Sequence, residues 1–247
     1  MKKANVLQWV WINVASVAVT FKYCMVAFYV TSVHRDDARA RIDDTCRRWS
    51  AALLRLIDLR WSLLGEIPQY TDQRRYIVMC NHASHYDIPL SFMAVPGSMR
   101  MLAKKELSHI PIFGQAMRAA EFIFIDRHNR ERAKKDLHNA KAKMESGIVL
   151  WVSPEGTRSK DGRLLPFKKG CFHLAIDTQA VIIPMVIRDI IKVLPKGETR
   201  PNLGVHVDVV FGKPIDTIGY SLDQRQQLSD KVETAMRQLM QPERSAA

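Results

Sequence analysis

The residues best suited to chemistry lie in the segment Asn81-His82-Ala83-Ser84-His85-Tyr86-Asp87. An imidazole and a carboxylate are the parts of a base and its orienting acid. The carboxylate accepts a hydrogen bond from one ring nitrogen and fixes the tautomer, and the other nitrogen is then free to take a proton from a hydroxyl. On a regular helix the spacing of His82 and Asp87 puts them about 140° out of phase. They meet only where His82 lies in a turn that leads into the helix carrying Asp87. Such a pair has the logic of a catalytic triad without its serine, the substrate supplying the alcohol. The spacing alone is common, and a surface histidine near a helix-capping aspartate explains most chance occurrences of it.

The elements around this segment decide whether the pair can form. After Gly65 short apolar runs alternate with helical stretches. The predicted strands are Ile77 to Cys80, Met99 to Ala103, Phe122 to Ile125, Ile148 to Val152, Val181 to Ile187 and Val205 to Phe211. Between and after them, helices are predicted over Ile88 to Val95, Ile112 to Ala119, Asn129 to Ser146 and Gly170 to Thr178, and Ser221 with Gln224 makes a capping box for a last one. This alternation predicts an α/β fold, a mostly parallel central sheet flanked by helices. His82 then follows the first strand, at the carboxyl end where open α/β sheets keep their sites. Phe124-Ile125-Asp126-Arg127 ends the third strand, Pro154-Glu155-Gly156-Thr157-Arg158-Ser159 ends the fourth, and Val181-Ile182-Ile183-Pro184 forms the fifth. The first three of these blocks are placed to converge on one rim of the sheet. Pro184, which lacks an amide donor, is expected at an edge or bulge.

Ahead of the α/β region, residues 1–65 read as a membrane-anchoring helical part, and residues 66–247 as the catalytic domain. Residues 6–33 are mostly apolar and long enough for a membrane-embedded helix. Lys22 falls late in the run and basic residues flank both ends, so a re-entrant segment competes with a spanning one. No Ala-x-Ala site lies near its end, which argues for a retained anchor over a signal peptide. Residues 36–64 follow with an apolar stripe of Ile42, Cys46, Trp49, Leu53, Leu56, Ile57, Leu63 and Leu64, read as one amphipathic helix that Gly65 stops. The arginines between fall largely off the stripe. The helix can therefore lie on anionic headgroups or pack on the globular domain.

The chain has 247 residues and a formal net charge of +12, which favours polyanionic partners (nucleic acid, an anionic membrane face, or phosphorylated and CoA-like substrates), with a merely solvated basic surface as the alternative. A nucleic-acid role explains only the charge, since no recognisable module accompanies it and an apolar anchor is an odd companion. Four dispersed cysteines make no disulfide framework and argue for a reducing compartment. The histidines form no metal set at usable spacing, so no metal is assigned.

With its four blocks in order, from about Asn81 to Pro184, the chain resembles the 1-acyl-sn-glycerol-3-phosphate (lysophosphatidic acid) acyltransferase family of glycerolipid acyltransferases. The pieces Ala103-Lys104-Lys105-Glu106-Leu107, Pro111-Ile112-Phe113-Gly114 and Phe167-Lys168-Lys169-Gly170 look like the family too. Two positions depart from it. Glu121 stands where a glycine is common, and Ser153 where an aromatic often precedes Pro-Glu-Gly-Thr-Arg.

The resemblance implies a membrane-bound enzyme of phospholipid biosynthesis that moves a fatty acyl group from acyl-CoA or acyl carrier protein to the sn-2 hydroxyl of lysophosphatidic acid, giving phosphatidic acid. No cofactor is implied beyond the thioester co-substrate. His82 is the implied general base and Asp87 its orienting acid. Arg127 and Arg158 offer planar forks to a phosphate, with Lys104 or Lys105 adding point charge. Glu155 and Gly156 shape the glycerol end, Gly156 by letting backbone amides approach an anion, and Thr157 belongs with them among the substrate-binding residues. Asp126 is read as an ion-pair partner that holds a basic side chain. The expected partners are the phospholipid bilayer, lysophosphatidic acid and the acyl donor, without nucleic acid. The catalytic domain is expected on the cytoplasmic side of a membrane, the inner membrane if the chain is bacterial. Acylation of another lysophospholipid or of glycerol 3-phosphate by the same chemistry is an alternative, and a non-catalytic membrane-remodelling protein is one of a different class.

Overall fold

A computed structural model of the chain describes residues 2–70, 74–126 and 129–241. A short strand β1 (Lys2–Lys3) leads into the helices α1 (Val6–Val33) and α2 (Ala38–Leu56). Then come β2 (Arg60–Leu64), β3 (Tyr76–Cys80), α3 (Asp87–Ala94), β4 (Met99–Lys104), α4 (Phe113–Ala119), β5 (Ile123–Ile125), α5 (Arg130–Glu145) and β6 (Val149–Val152). The chain continues through α6 (Lys169–Asp177), β7 (Val181–Arg188), β8 (Asn202–Leu203), β9 (His206–Phe211), β10 (Ile215–Asp216) and α7 (Arg225–Met240).

The main sheet has the order β2-β9-β7-β3-β6-β4-β5, with β10 also paired to β7. Neighbours from β7 through β3, β6 and β4 to β5 are all parallel, and β9 and β10 are antiparallel to β7. The sheet is thus mostly parallel. Its strands are apolar on both faces because both are covered. In β3, Tyr76, Val78 and Cys80 pack with Leu54 of α2 and Leu90 and Phe92 of α3. Their neighbours Ile77 and Met79 pack on the other side with Ala140 of α5, Phe172 of α6 and Val232 of α7. The period of two along the strand divides the core into two layers.

Two expectations fail here, both through long-range pairing. Residues 36–64 are not one helix. α2 ends at Leu56, Asp58 takes a positive φ of 48°, and Arg60–Leu64 form β2, parallel to β9 in the main sheet. The sheet therefore reaches back across the predicted boundary at residue 65. Gly65 closes this strand: its φ is +81°, and a Cβ there would lie 2.5 Å from the Phe211 carbonyl oxygen. Pro184 is not at an edge either. It pairs with Met79 in the central strand β7, and on β7's other side the partner changes there from β10 at Ile182 to β9 at Met185. Its missing N–H falls in that gap, and its carbonyl accepts from Gly212 at 2.8 Å.

The helix α1 touches the rest of the molecule at both ends. At its start Asn5 and Gln8 form a capping box, and β1 pairs antiparallel with β8. The Ala4 amide donates to the Pro201 carbonyl at 2.9 Å, and Trp9 Nε1–H donates to the Thr199 carbonyl at 2.9 Å. Further along, Cys24, Ala27 and Val30 pack with Ile42 of α2 and with Ala116 and Ala120 at α4. Its other face is open, with Leu7, Val10, Trp11, Val14, Val17, Phe21 and Met25 all exposed at helical spacing.

A second tie holds α2 against the sheet domain. Glu121 has a φ of 63°, the left-handed region that glycine enters most easily. Its carboxylate accepts from Arg39 of α2 at 2.8 and 2.9 Å and from Lys143 of α5 at 2.8 Å. Arg39 also donates to the carbonyl and hydroxyl of Ser146.

Candidate active site

The ends of four neighbouring parallel strands, β3, β6, β4 and β5, bring the predicted blocks to one rim of the sheet. His82 lies two residues past β3, in a turn that leads straight into α3, whose first residue is Asp87. The ring Nδ1 is 2.6 Å from Asp87 Oδ2. That same oxygen accepts the amides of Ala83 and Ser84, each at 2.9 Å. One buried carboxylate thus both pins the turn ahead of α3, through the Ala83 and Ser84 amides, and orients the imidazole. An ionised Asp87 beside Nδ1 places the proton there and leaves Nε2 as the acceptor. The imidazole is partly exposed and lines a cavity.

The turn is braced from below by Glu155, which is 1% exposed. Glu155 Oε1 accepts the His82 amide at 2.9 Å, and Oε2 accepts the Leu165 amide at 2.8 Å. The His82 carbonyl in turn accepts the Ser159 amide at 2.7 Å. Burial pushes the Glu155 carboxyl above its ordinary range, against the pull of the two amides. Glu155 therefore does not shape the substrate wall as expected. Both of its oxygens are bound to backbone, and it holds the β6 loop against the turn that carries His82.

The cavity has a volume of about 680 Å³ and joins two kinds of wall. One is apolar, formed by α1, α2, α3 and α4 with Ala27, Ile42, Trp49, Phe92 and Ala116 among its residues. The other, at the strand ends, carries His82, His85, Ser153, Thr157, Arg158 and Lys104. Trp151 lies between them, edge-on to the His82 ring at 6.3 Å. Partial burial, and after it the Arg158 guanidinium, holds the His85 imidazole below its ordinary range.

The predicted phosphate-facing residues separate. Lys104, Arg158 and Thr157 all line the cavity with His82. Lys105, one residue beyond Lys104, turns away and pairs with Asp126 at 3.1 Å, so it contributes no free charge. Asp126 takes the ion-pairing part expected of it, with Lys105 and with Arg132 at 3.6 Å. Gly156 lines the cavity at a φ of +70°, but its amide donates to the Ser153 carbonyl at 3.1 Å and is committed to the turn. Arg127 lies outside the described residues.

Sequence reasoning missed one cavity residue of this polar wall altogether. Lys196 comes from the loop after β7, and its Nζ donates to the Arg158 carbonyl at 2.8 Å and to Thr157 Oγ1 at 3.2 Å. No local signal marks it, because only the return of the chain from β7 brings that loop over the rim.

Comparison with known proteins gives a consistent set of likenesses. The sequence model of the family described as Acyltransferase matches residues 64–188. A 1-acyl-sn-glycerol-3-phosphate acyltransferase of Cocos nucifera is 45% identical over 114 residues, covering 46% of this chain and 37% of that protein. The 1-acyl-sn-glycerol-3-phosphate acyltransferase alpha of Homo sapiens is 35% identical over 162 residues, covering 65% of this chain and 57% of that protein. This chain therefore spans little more than half, or less, of the length of these curated relatives. The crystal structure of the 1-acyl-sn-glycerophosphate (LPA) acyltransferase of Thermotoga maritima superposes with a TM-score of 0.79 at 26% identity, covering 96% of this chain and 97% of that one.

Proposed function

This chain belongs to the Acyltransferase family, and from that membership we propose that it is a lysophosphatidic acid acyltransferase acting at a membrane surface. The observation that carries the reading is the His82–Asp87 contact of 2.6 Å on the wall of a cavity that joins an apolar trough to a cationic rim. An acyl chain fits the trough and a phosphate the rim, which leaves the acceptor hydroxyl near His82.

The reaction balances with these groups. His82 Nε2 takes the proton of the sn-2 hydroxyl as its oxygen attacks the thioester carbonyl of acyl-CoA or acyl carrier protein. A C–O bond forms, the C–S bond breaks, and the imidazolium returns the proton to the departing sulfur. Asp87 stabilises that imidazolium and holds its tautomer. The donor supplies the driving force, so the chemistry as written calls on no cofactor. A covalent route through the nearest cysteine in sequence is disfavoured, because burial pushes the Cys80 thiol well above its ordinary range.

The open apolar stripe of α1 supports seating on a bilayer, with the helix lying along one leaflet and the sheet domain on the cytoplasmic face. The test is an assay of purified protein in lipid vesicles with a panel of acceptors and both donor types. We expect phosphatidic acid from lysophosphatidic acid, and a loss of about 1,000-fold in kcat for H82A with vesicle binding retained. Preference for an acceptor without phosphate sinks the choice of acceptor. Full cellular function of H82A favours the remodelling alternative.

A further inference from the structure

The polar wall carries three cations, Lys104, Arg158 and Lys196, and none of them lies within salt-bridge reach of a carboxylate among the described residues. The contrast with Lys105, neutralised by Asp126 at 3.1 Å, is local. Uncompensated like charges held beside a low-dielectric trough repel one another, and an anion relieves that repulsion. Lys196 is the unexpected member. It lies outside residues 64–188, the part that matches the family.

Its position is fixed from two directions. Toward the site, Nζ spends two of its three N–H bonds on the Arg158 carbonyl and Thr157 Oγ1, which leaves one to give. Away from the site, its loop is anchored on both flanks. The Leu194 carbonyl accepts from Ser84 Oγ at 3.1 Å, directly behind the turn that carries His82. The Val193 carbonyl accepts the Asn202 amide at 2.8 Å, and the N-terminal strap fastens the far side through Lys3 with Glu198, Trp9 with Thr199, and Ala4 with Pro201.

We propose that Lys196 is a substrate-binding residue of the acceptor's phosphate, a third cation delivered to the rim beside Lys104 and Arg158 by a loop that the N-terminal strap holds in place. The assignment rests on the reading of the chain as a lysophosphatidic acid acyltransferase. In that role it adds one charge-assisted hydrogen bond to the acceptor and none to the donor.

The experiment compares K196Q, K196R and K196M with the wild type, measuring KM and kcat for lysophosphatidic acid, KM for the acyl donor, and inhibition by glycerol 3-phosphate. Glutamine keeps a donor for the Arg158 carbonyl but has no charge, so it separates binding from bracing. K196Q and K196M should each raise the acceptor KM by about ten-fold or more and weaken glycerol 3-phosphate inhibition in parallel. The donor KM should move far less, and K196R should recover most of the loss. Circular dichroism melting identifies any variant that fails to fold, and the K196Q and K196R pair then decides. The assignment is overturned if K196Q keeps the wild-type acceptor KM, or if the variants lose kcat alone and arginine does not restore it, the mark of a brace. Wild-type protein that cannot acylate lysophosphatidic acid at all overturns the parent reading, and this assignment with it.

Discussion

Asp87 Oδ2 accepts three N–H groups, from the His82 ring and from the amides of Ala83 and Ser84. The other oxygen, Oδ1, is buried without a hydrogen-bond partner among the described residues. An asparagine there can present its oxygen to the amides or its nitrogen to the ring, but it carries no charge to stabilise an imidazolium. D87N should therefore lower kcat by about 100-fold to 10,000-fold while changing stability less than D87A, which also leaves the Ala83 and Ser84 amides without their acceptor, at about 1–3 kcal/mol. Steady-state kinetics and urea unfolding of the two variants check both halves. At this scale the sequence was legible where one residue type implies one chemistry. His82 and Asp87 stand at a strand-to-helix junction, and their contact follows from it. It was not legible where direction decides. Glu155 turns inward and Gly156 spends its amide within the turn. Lys104 ends β4 while Lys105 opens a 3-10 turn, so two adjacent lysines face different partners.

Among the elements, α2 is held to the sheet domain by the Glu121 cluster. The Arg39 guanidinium, and then the Lys143 ammonium, outweigh burial and hold the Glu121 carboxyl at about 2, below its ordinary 4.5. A carboxyl depressed on folding adds stability that is complete above the unfolded value, near 4.5, and is lost as pH falls through about 2. E121Q should thus cost on the order of 1–3 kcal/mol at pH 7, and the gap to wild type should narrow between pH 5 and pH 3 in urea titrations. E121G should recover about 1 kcal/mol relative to E121A, because the φ of 63° strains any side chain. The sequence showed a missing glycine here but not the compensation, since Arg39 and Lys143 are remote from Glu121 in the chain. The same distance hid β2. Arg60–Leu64 carry apolar residues at positions that suit a helix or a strand, and only pairing with β9 selects the strand. The six strands read from periodicity are all present, because buried parallel strands are continuous apolar runs.

For the whole molecule, the ties of α1 bear on the proposed seating at a bilayer. A helix of 28 residues is about 42 Å long, more than the roughly 30 Å of a hydrocarbon core. Spanning would carry its two ends to opposite faces. Here the start is bonded to Thr199 and Pro201, and the later turns pack on α2 and α4, so both ends belong to one body. The apolar residues left open run along one side, from Val6 and Val10 through Val14, Val17 and Phe21 to Met25 and Tyr29. That geometry fits a helix lying in one leaflet, while Ser16, Thr20 and Tyr23 of the same helix line the cavity. Two measurements follow from it. Replacing Trp11, Val14 and Val17 together by serine should weaken vesicle binding by about 100-fold, taking about 1 kcal/mol for each partly buried side chain. With cysteines introduced at positions 2 and 35 in a background free of the native ones, a membrane-impermeant reagent added outside sealed vesicles should reach both K2C and R35C. Labelling of only one of them places the ends on opposite faces, and α1 would then have to leave the strap, the α4 contact or both in order to cross.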